Sequence, residues 1–568
     1  MASHSRNQAG PVLTSGFAGR PGTARKWAAG ILLLAVAAIS LAAAPAASDT
    51  GPRPRLIVFV SVDQMHSEYL SRFASLFQGG FKRINEQGSV FSNAYYRHAN
   101  SETGPGHALL LSGRHACDTG IVANEWFDAV HRIMTNVVDD PASLPVPGPG
   151  RGASPAHFIG PTIGDLLKKV SPASRVVGVS MKDRAAILMS GPRADAAFWF
   201  ESGPGGFASS TYYMRELPHW LKEWNSAGHV DALVGRTWTR LLPDEAVYLR
   251  LAGPDDVRGE WDNVNTVFPH AIRGAAHSPE FYDNVRRTPF MDELTLDVAL
   301  EAMKAYDLGT DDATDILAVG FSATDVIGHT YGPESQEIMD QMLRLDRTLG
   351  KLIDAAEARA PGRVLIGLSA DHSSMSLVEL LRAKGLDAKR VKPEEIEGPV
   401  RRALEARFPG AANLIAAADP PNFWLDLPAL GHQGLKRTEV ERVIRDALLA
   451  TGVIHRVYTR AELLGDPPAD DIDFSLVRNS FFESRSPDVI ASVKPYIYVS
   501  SRPGGTGHGT VHAYDRHVPV AFLGPGIKAG HFDAACGPED IAPTLARILG
   551  LEYPIEEGQR VLSEALAR

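Results

Sequence analysis

Three runs along the chain are apolar and largely β-branched, with almost no polar interruption, and each ends in small residues and an acid. They are Leu56-Ile-Val-Phe-Val-Ser-Val-Asp63, Ile316-Leu-Ala-Val-Gly-Phe-Ser-Ala-Thr-Asp325 and Val364-Leu-Ile-Gly-Leu-Ser-Ala-Asp371-His372. A strand with one face in water alternates polar and apolar positions. These runs do not, so they suit strands covered on both faces, as in a parallel sheet. Shorter patterns predict strands at Arg175–Ser180, Phe423–Leu425, Tyr496–Val499 and Val518–Leu523, and amphipathic helices at Glu293–Ala305, Ser335–Ala356 and Pro538–Leu549. Strand and helix in alternation predict an α/β fold, a doubly wound and largely parallel sheet with helices on both faces. Ligands in such folds bind beyond the carboxyl ends of the strands, where the three acids fall.

The pattern weakens in two places. At about 192–288 and 373–493 clear strand alternation is lost, and both stretches read as insertions that cap or flank the sheet. The Pro- and Gly-rich segment Pro141–Pro161 reads as a surface loop. A different signal opens the chain. Residues 1–26 carry Arg6, Arg20, Arg25 and Lys26 and no acid, followed by the apolar centre Ile31–Ile39 and the small-x-small tripeptide Ala44-Pro45-Ala46. That order predicts a signal peptide over 1–46 and one mature domain over 47–568, placed in the periplasm or secreted. A retained anchor is the alternative, because the apolar stretch approaches the ~20 residues of a bilayer span. Membrane contact is expected only in that case. Cleavage after Ala46 removes four positive charges and takes the net charge from −10 to −14.

Composition narrows the function classes. The chain has 568 residues, 44% hydrophobic and 22% charged, which excludes a wholly disordered chain and a multi-span membrane protein. With 57 Lys and Arg against 67 Asp and Glu, and no dense basic run, nucleic acid is not expected as a partner. Two cysteines cannot build a disulfide framework or a thiolate zinc site, so any metal must be held by Asp and His. After export, Cys117 and Cys536 would either pair or remain as two buried thiols.

One acid after a strand is ordinarily a helix cap or turn residue. Here two of the three acids bring a histidine, in Asp325-Val-Ile-Gly-His329 and Asp371-His372, and His508 lies between glycines in Gly505-Thr-Gly-His-Gly-Thr510. Carboxylate oxygen and neutral imidazole nitrogen suit zinc and similar ions. Asp63, Asp325, His329, Asp371, His372 and His508 make three donors for each of two metals, the arrangement that clamps attacking and leaving oxygens in phosphoryl transfer. A nucleophile is offered by Thr103 in Thr103-Gly-Pro-Gly-His107, at the start of an apolar helical run. The partial positive charge of a helix N-terminus favours an anion there. The plainer role for Thr103 is a helix cap.

Asp63, the Thr103-Gly-Pro-Gly-His107 turn, Asp325-x-x-x-His329, Asp371-His372 and His508-Gly509 resemble the alkaline phosphatase superfamily in order and spacing, from Leu56 to about Leu551. The resemblance implies one metal on Asp325, His329 and His508, a second on Asp63, Asp371 and His372, and the Thr103 oxygen between two zinc ions. Sulfatases of the superfamily carry Cys or Ser at the nucleophile position, so Thr103 disfavours that activity. The segments Met181-Lys-Asp-Arg-Ala-Ala-Ile-Leu-Met189 and Ile121-Val-Ala-Asn124-Glu-Trp-Phe127 resemble threonine-nucleophile bacterial alkaline phosphatases within the type I phosphodiesterase and nucleotide pyrophosphatase branch. That likeness implies phosphate monoesters as substrates, with Asn124, Lys182 and Arg184 on the phosphoryl oxygens.

In an extended chain Lys182 and Arg184 would point to one side and grip those oxygens together. A turn role for Asn124 and a solvated surface pair for Lys182 and Arg184 are the plainer readings. Ser373-Ser374-Met375 departs from the glycines usual after the Asp-His pair. His512, Asp515 and His517 are expected to orient the loop rather than bind metal. The expected activity is monoester hydrolysis through a phosphothreonine. A phosphodiesterase of the same superfamily and a non-catalytic metal-containing binding protein are the rivals.

Overall fold

The computed structural model describes residues 53–261, 265–411, 413–466, 468 and 471–567. The signal peptide expected over 1–46 lies outside the described residues. Among the described residues no helix is long and apolar enough to cross a membrane.

The three apolar runs become neighbouring strands. Leu56–Val62 is flanked in parallel by Asp315–Phe321 and by Val364–Ser369. Val176–Ser180 and then Ala196–Glu201 extend the parallel set, Gly206–Ser210 and Pro145–Val146 close that side antiparallel, and His517–Leu523, Ser89–Tyr95 and Gly530–Phe532 close the other, for ten strands. Every residue of Leu56–Val62, Asp315–Phe321 and Val364–Ser369 is buried.

Alternate side chains explain why. Leu56, Val58, Val60 and Val62 join one apolar cluster, with Val298 of the Phe290–Ala305 helix and Leu345 of the Gln336–Arg359 helix. Ile57 and Phe59 join another, with Leu110 of the Thr103–Ser112 helix and Leu545 of the Ile541–Leu549 helix. Each strand therefore feeds two cores, one per face, and neither face can afford polar residues. This is the doubly wound α/β arrangement expected from the sequence. The Gln336–Arg359 helix begins where Ser335 Oγ accepts the Ile338 N–H.

Three expectations change. Pro145 and Val146 leave the expected loop to pair with Gly206–Ser210. The stretch from 192 opens with two strands of the main sheet, Ala196–Glu201 and Gly206–Ser210. The stretch from 373, expected to lack strand alternation, contains a separate four-stranded antiparallel sheet in the order Ile415–Asp419, Asn422–Leu425, Val489–Val493, Ile454–Thr459. Its core joins Phe423 and Val489 to Ile396 and Ile444 of the Pro393–Arg407 and Arg437–Ala450 helices. Its strand at Asn422–Leu425 is the one expected at Phe423–Leu425, while small residues hide its neighbour, because Ile415-Ala-Ala-Ala-Asp419 shows no period. Cys117 and Cys536 are both free, and Cys117 is only half-buried. Burial pushes both thiols up to about 12.

Candidate active site

Parallel pairing brings the key residues together. Ser61 pairs with both Gly320 and Ser369, and Gly320 with Ser180, so four strand ends lie level. Just beyond them come Asp63, Asp371, Asp325 in the first turn of the Ala323–Tyr331 helix, and Lys182 preceding the Asp183–Ser190 helix. The antiparallel strand His517–Leu523 places Val520 opposite Ser369, so its amino end and the loop before it reach the same edge. Ser89–Tyr95 pairs with it, Tyr95 opposite His517, and leads from there to Thr103. Segments hundreds of residues apart therefore meet at one edge.

Three histidines are oriented alike. His329 Nδ1 donates to Thr506 O at 2.7 Å, His508 Nδ1 to Ser101 O at 2.7 Å, and His372 Nδ1 to Ser373 O at 3.0 Å. A carbonyl only accepts, so each ring carries a proton on Nδ1 and turns Nε2 toward the carboxylates. His329 Nε2 and His508 Nε2 lie 3.3 and 3.6 Å from Asp325 Oδ1, and His372 Nε2 lies 3.2 Å from Asp371 Oδ2. Burial, then the neighbouring His372 and His329, hold His508 well below the usual imidazole range, the neutral state that a metal ligand needs.

Thr103 opens the Thr103–Ser112 helix and is buried. Gly104 N–H donates to Asn124 Oδ1 at 2.8 Å, which pins that side chain against the first helical turn. Lys182 Nζ lies 3.4 Å from Thr103 Oγ1, 2.6 Å from Asp325 Oδ2 and 2.9 Å from Asp63 Oδ2. Burial opposes ionisation of Asp325, but the Lys182 ammonium, His329 and His508 together outweigh it and hold the carboxyl well below the usual range. The extended Lys-x-Arg geometry is corrected here. The chain turns helical at Asp183, so Lys182 enters the carboxylate cluster while Arg184 stays half-buried, its charge acting on Lys182 and Glu102.

Two residues near the centre were not singled out as donors by sequence. His107 Nε2 lies 3.2 Å from Asp63 Oδ1 and its Nδ1 3.4 Å from Asp371 Oδ2, with Thr103 O 2.9 Å from Nδ1. Its position four residues after Thr103, on the same face of a helix, was the available signal. Gln64 follows Asp63 and bonds two of the acids, a contact with no sequence signature. Ser373 orients His372 through its backbone, and Ser374 Oγ bonds His66 Nε2 at 3.1 Å. Asp515 Oδ2 accepts the Thr510 N–H, His512 Nε2 meets Val493 O and His517 Nε2 meets Ser92 O, so these three tie down the loop and the strand that follows it.

The donor set fits divalent metal. Two groups converge, Asp325 with His372 and His508, and Asp63 with His107 and Asp371, the donor atoms of each within 4.8 Å of one another. Against the expected sets, His372 falls with Asp325 as well as beside Asp371, His107 joins Asp63, and His329 meets the first set through Asp325. Both oxygens of Asp63, Asp371 Oδ2, His372 Nε2 and His107 Nε2 are buried and meet one another or Lys182 as ion pairs but make no well-aligned hydrogen bond. Three buried carboxylates share one ammonium. Such a cluster is costly unless cations join it.

The family model described as type I phosphodiesterase / nucleotide pyrophosphatase matches residues 57–515. The chain is 31% identical over 558 residues to alkaline phosphatase PafA of Elizabethkingia meningoseptica, covering 96% of this chain and all of that one. It is 32% identical to alkaline phosphatase PhoK of a Sphingomonas species, covering 89% of this chain and 90% of that one. The crystal structure of PafA superimposes with a TM-score of 0.84, covering 91% of this chain and 99% of that one. The chain therefore belongs to the type I phosphodiesterase / nucleotide pyrophosphatase family, and it is an enzyme, a phosphatase of the alkaline phosphatase superfamily.

Proposed function

We propose that the enzyme is an exported phosphomonoesterase that works through a phosphothreonine at Thr103. The observation that carries this reading is the position of Lys182, whose ammonium reaches Thr103 Oγ1 and two buried carboxylates at once. A monoester presents a dianionic face that rewards extra cations, whereas a diester replaces one of those oxygens by a neutral substituent.

Two zinc ions fit the mixed carboxylate and imidazole donors, one on Asp325, His329 and His508 and the other on Asp63, Asp371 and His372, and they would acidify the Thr103 hydroxyl and offset charge on the departing oxygen. Thr103 Oγ1 loses its proton to solvent and attacks phosphorus in line, the bond to the leaving oxygen breaks, that oxygen takes a proton from water, and a phosphothreonine remains. The amino end of the Thr103–Ser112 helix favours the anion. Asn124, its Oδ1 held by Gly104, has its amide nitrogen to donate to a phosphoryl oxygen. Lys182 supplies a point charge from within the carboxylate cluster, and Arg184, half-buried outside it, would add a planar fork. Water then attacks phosphorus and the bond to Oγ1 breaks, returning a proton to Thr103.

Steady-state kinetics on the zinc-replete mature protein test this. Thr103→Ala is expected to lose nearly all aryl phosphate hydrolysis, and retention of most activity excludes Thr103 as nucleophile. A strong preference for bis-aryl over aryl phosphate would establish the diesterase reading instead. Mass measurement of the exported protein is expected to show residues 1–46 removed.

A further inference from the structure

A cavity of about 330 Å³ opens beside Thr103, between the main sheet and the smaller antiparallel sheet. Glu102, which precedes Thr103, lines it, as do Ala123 and Glu125 on either side of Asn124, and His508. Its size falls within the range of small-molecule sites, and its place suits the group that leaves phosphorus.

The chemistry of its wall is one-sided. Glu102, Glu125, Asp419 and Asp515 line it with the aromatic rings of Trp424 and Tyr498, and no Lys or Arg is among the described residues that do. Glu125 and Asp419 have no ion-pair partner among the described residues. Asp419 is exposed at the rim, yet desolvation of its carboxylate and repulsion from Glu125 push it above the usual range. Deeper in, Asp515 Oδ1 is fully buried with no hydrogen-bond partner, and Ser492 Oγ is buried and equally unpartnered. Arg390 stands 5.1 Å from the Tyr498 ring centre but does not line the space.

Glu125 and Asp419, facing this space with no ion-pair partner among the described residues, repel an anionic group and attract a cation, and aromatic faces add to that attraction. We infer that this cavity is a leaving-group subsite for cationic alcohols, so that phosphate monoesters of short amino alcohols, with a bare or methylated ammonium, are preferred substrates. The inference deepens the phosphomonoesterase reading and rests on it. The phosphoryl group goes to Thr103 while the ammonium end of the departing alcohol lies among Glu125, Asp419 and the two rings.

The test compares kcat/KM on the zinc-replete protein for phosphocholine, glycerol phosphate and phosphoglycolate, with p-nitrophenyl phosphate as reference. The cationic ester is expected to exceed the anionic one by about tenfold or more. In Glu125→Gln/Asp419→Asn that ratio falls to about one while p-nitrophenyl phosphate turnover stays unchanged. Calorimetric titration with choline reads the cavity without catalysis, with binding expected to the parent protein and lost in the double variant. Equal kcat/KM for the three alkyl esters, or a preference that survives both substitutions, overturns the inference. Failure to hydrolyse p-nitrophenyl phosphate would instead overturn the phosphatase reading, and choline binding would then decide the cavity by itself.

Discussion

The side-chain amide of Gln64 donates to Asp325 Oδ1 at 2.7 Å, which joins the ends of two neighbouring strands. Its backbone N–H donates to Asp371 Oδ1 at 3.1 Å, so one residue braces carboxylates from both groups of candidate metal donors. It does so at φ 62°, in the left-handed region that side chains rarely adopt. Gly328 makes room, since a Cβ there would stand 2.0 Å from Gln64 Oε1. Gln64→Leu keeps the volume and removes the donor. It is expected to weaken zinc binding about 10–100-fold, measured by competition with a chelator.

Lys182 and a metal cation answer the same need, charge opposite Asp63 and Asp325. In metal-free protein Lys182→Met leaves those buried carboxylates unmatched and is expected to cost about 3–5 kcal/mol. With zinc bound the loss shrinks, and denaturant unfolding with and without chelator measures the difference. Equal losses would separate Lys182 from the metals. On substrates, the variant is expected to lose about 10²–10³-fold in kcat/KM for an aryl phosphate and much less for a diester.

Gly106 is present because the Thr103–Ser112 helix runs against the Asp371 backbone. A Cβ at this position would stand 2.3 Å from Asp371 O and 2.7 Å from its Cα. Neither backbone can yield without moving a proposed metal ligand or the proposed nucleophile. Gly106→Ala is expected to destabilise the fold by about 1–3 kcal/mol and to lower bound zinc. Thermal unfolding and metal content check the two effects separately.

Away from the centre, Glu539 is fully buried and meets Arg97 Nε at 2.8 Å. Burial pushes its carboxyl from 4.5 up to about 7, with Arg97 pulling the other way. The folded chain thus binds this proton more tightly than the unfolded chain. Stability tied to Glu539 is highest below about pH 4.5 and is lost as pH rises to about 7. Glu539→Gln is expected to flatten that decline, which for one proton is at most about 1.4 kcal/mol per pH unit. Unfolding free energies of parent and variant between pH 5 and 8 test the sign.

The chain order alone settled the parallel strands, because burial on both faces leaves an uninterrupted apolar record at Leu56–Val62, Asp315–Phe321 and Val364–Ser369. It also marked the acids beyond those strand ends, because ligand sites in such sheets gather at the carboxyl edge. Of the small antiparallel sheet only the strand at Phe423–Leu425 was legible; Ile415-Ala-Ala-Ala-Asp419 shows no period, and the other two strands are short. The turn of the chain at Asp183 was equally silent, and it sends Lys182 into the cluster and keeps Arg184 apart. Tertiary structure alone decided the placement of Gln64 and of the acidic cavity. Their meaning comes from neighbours distant in sequence, such as Gln64 with Asp325, and local pattern holds no trace of such pairs.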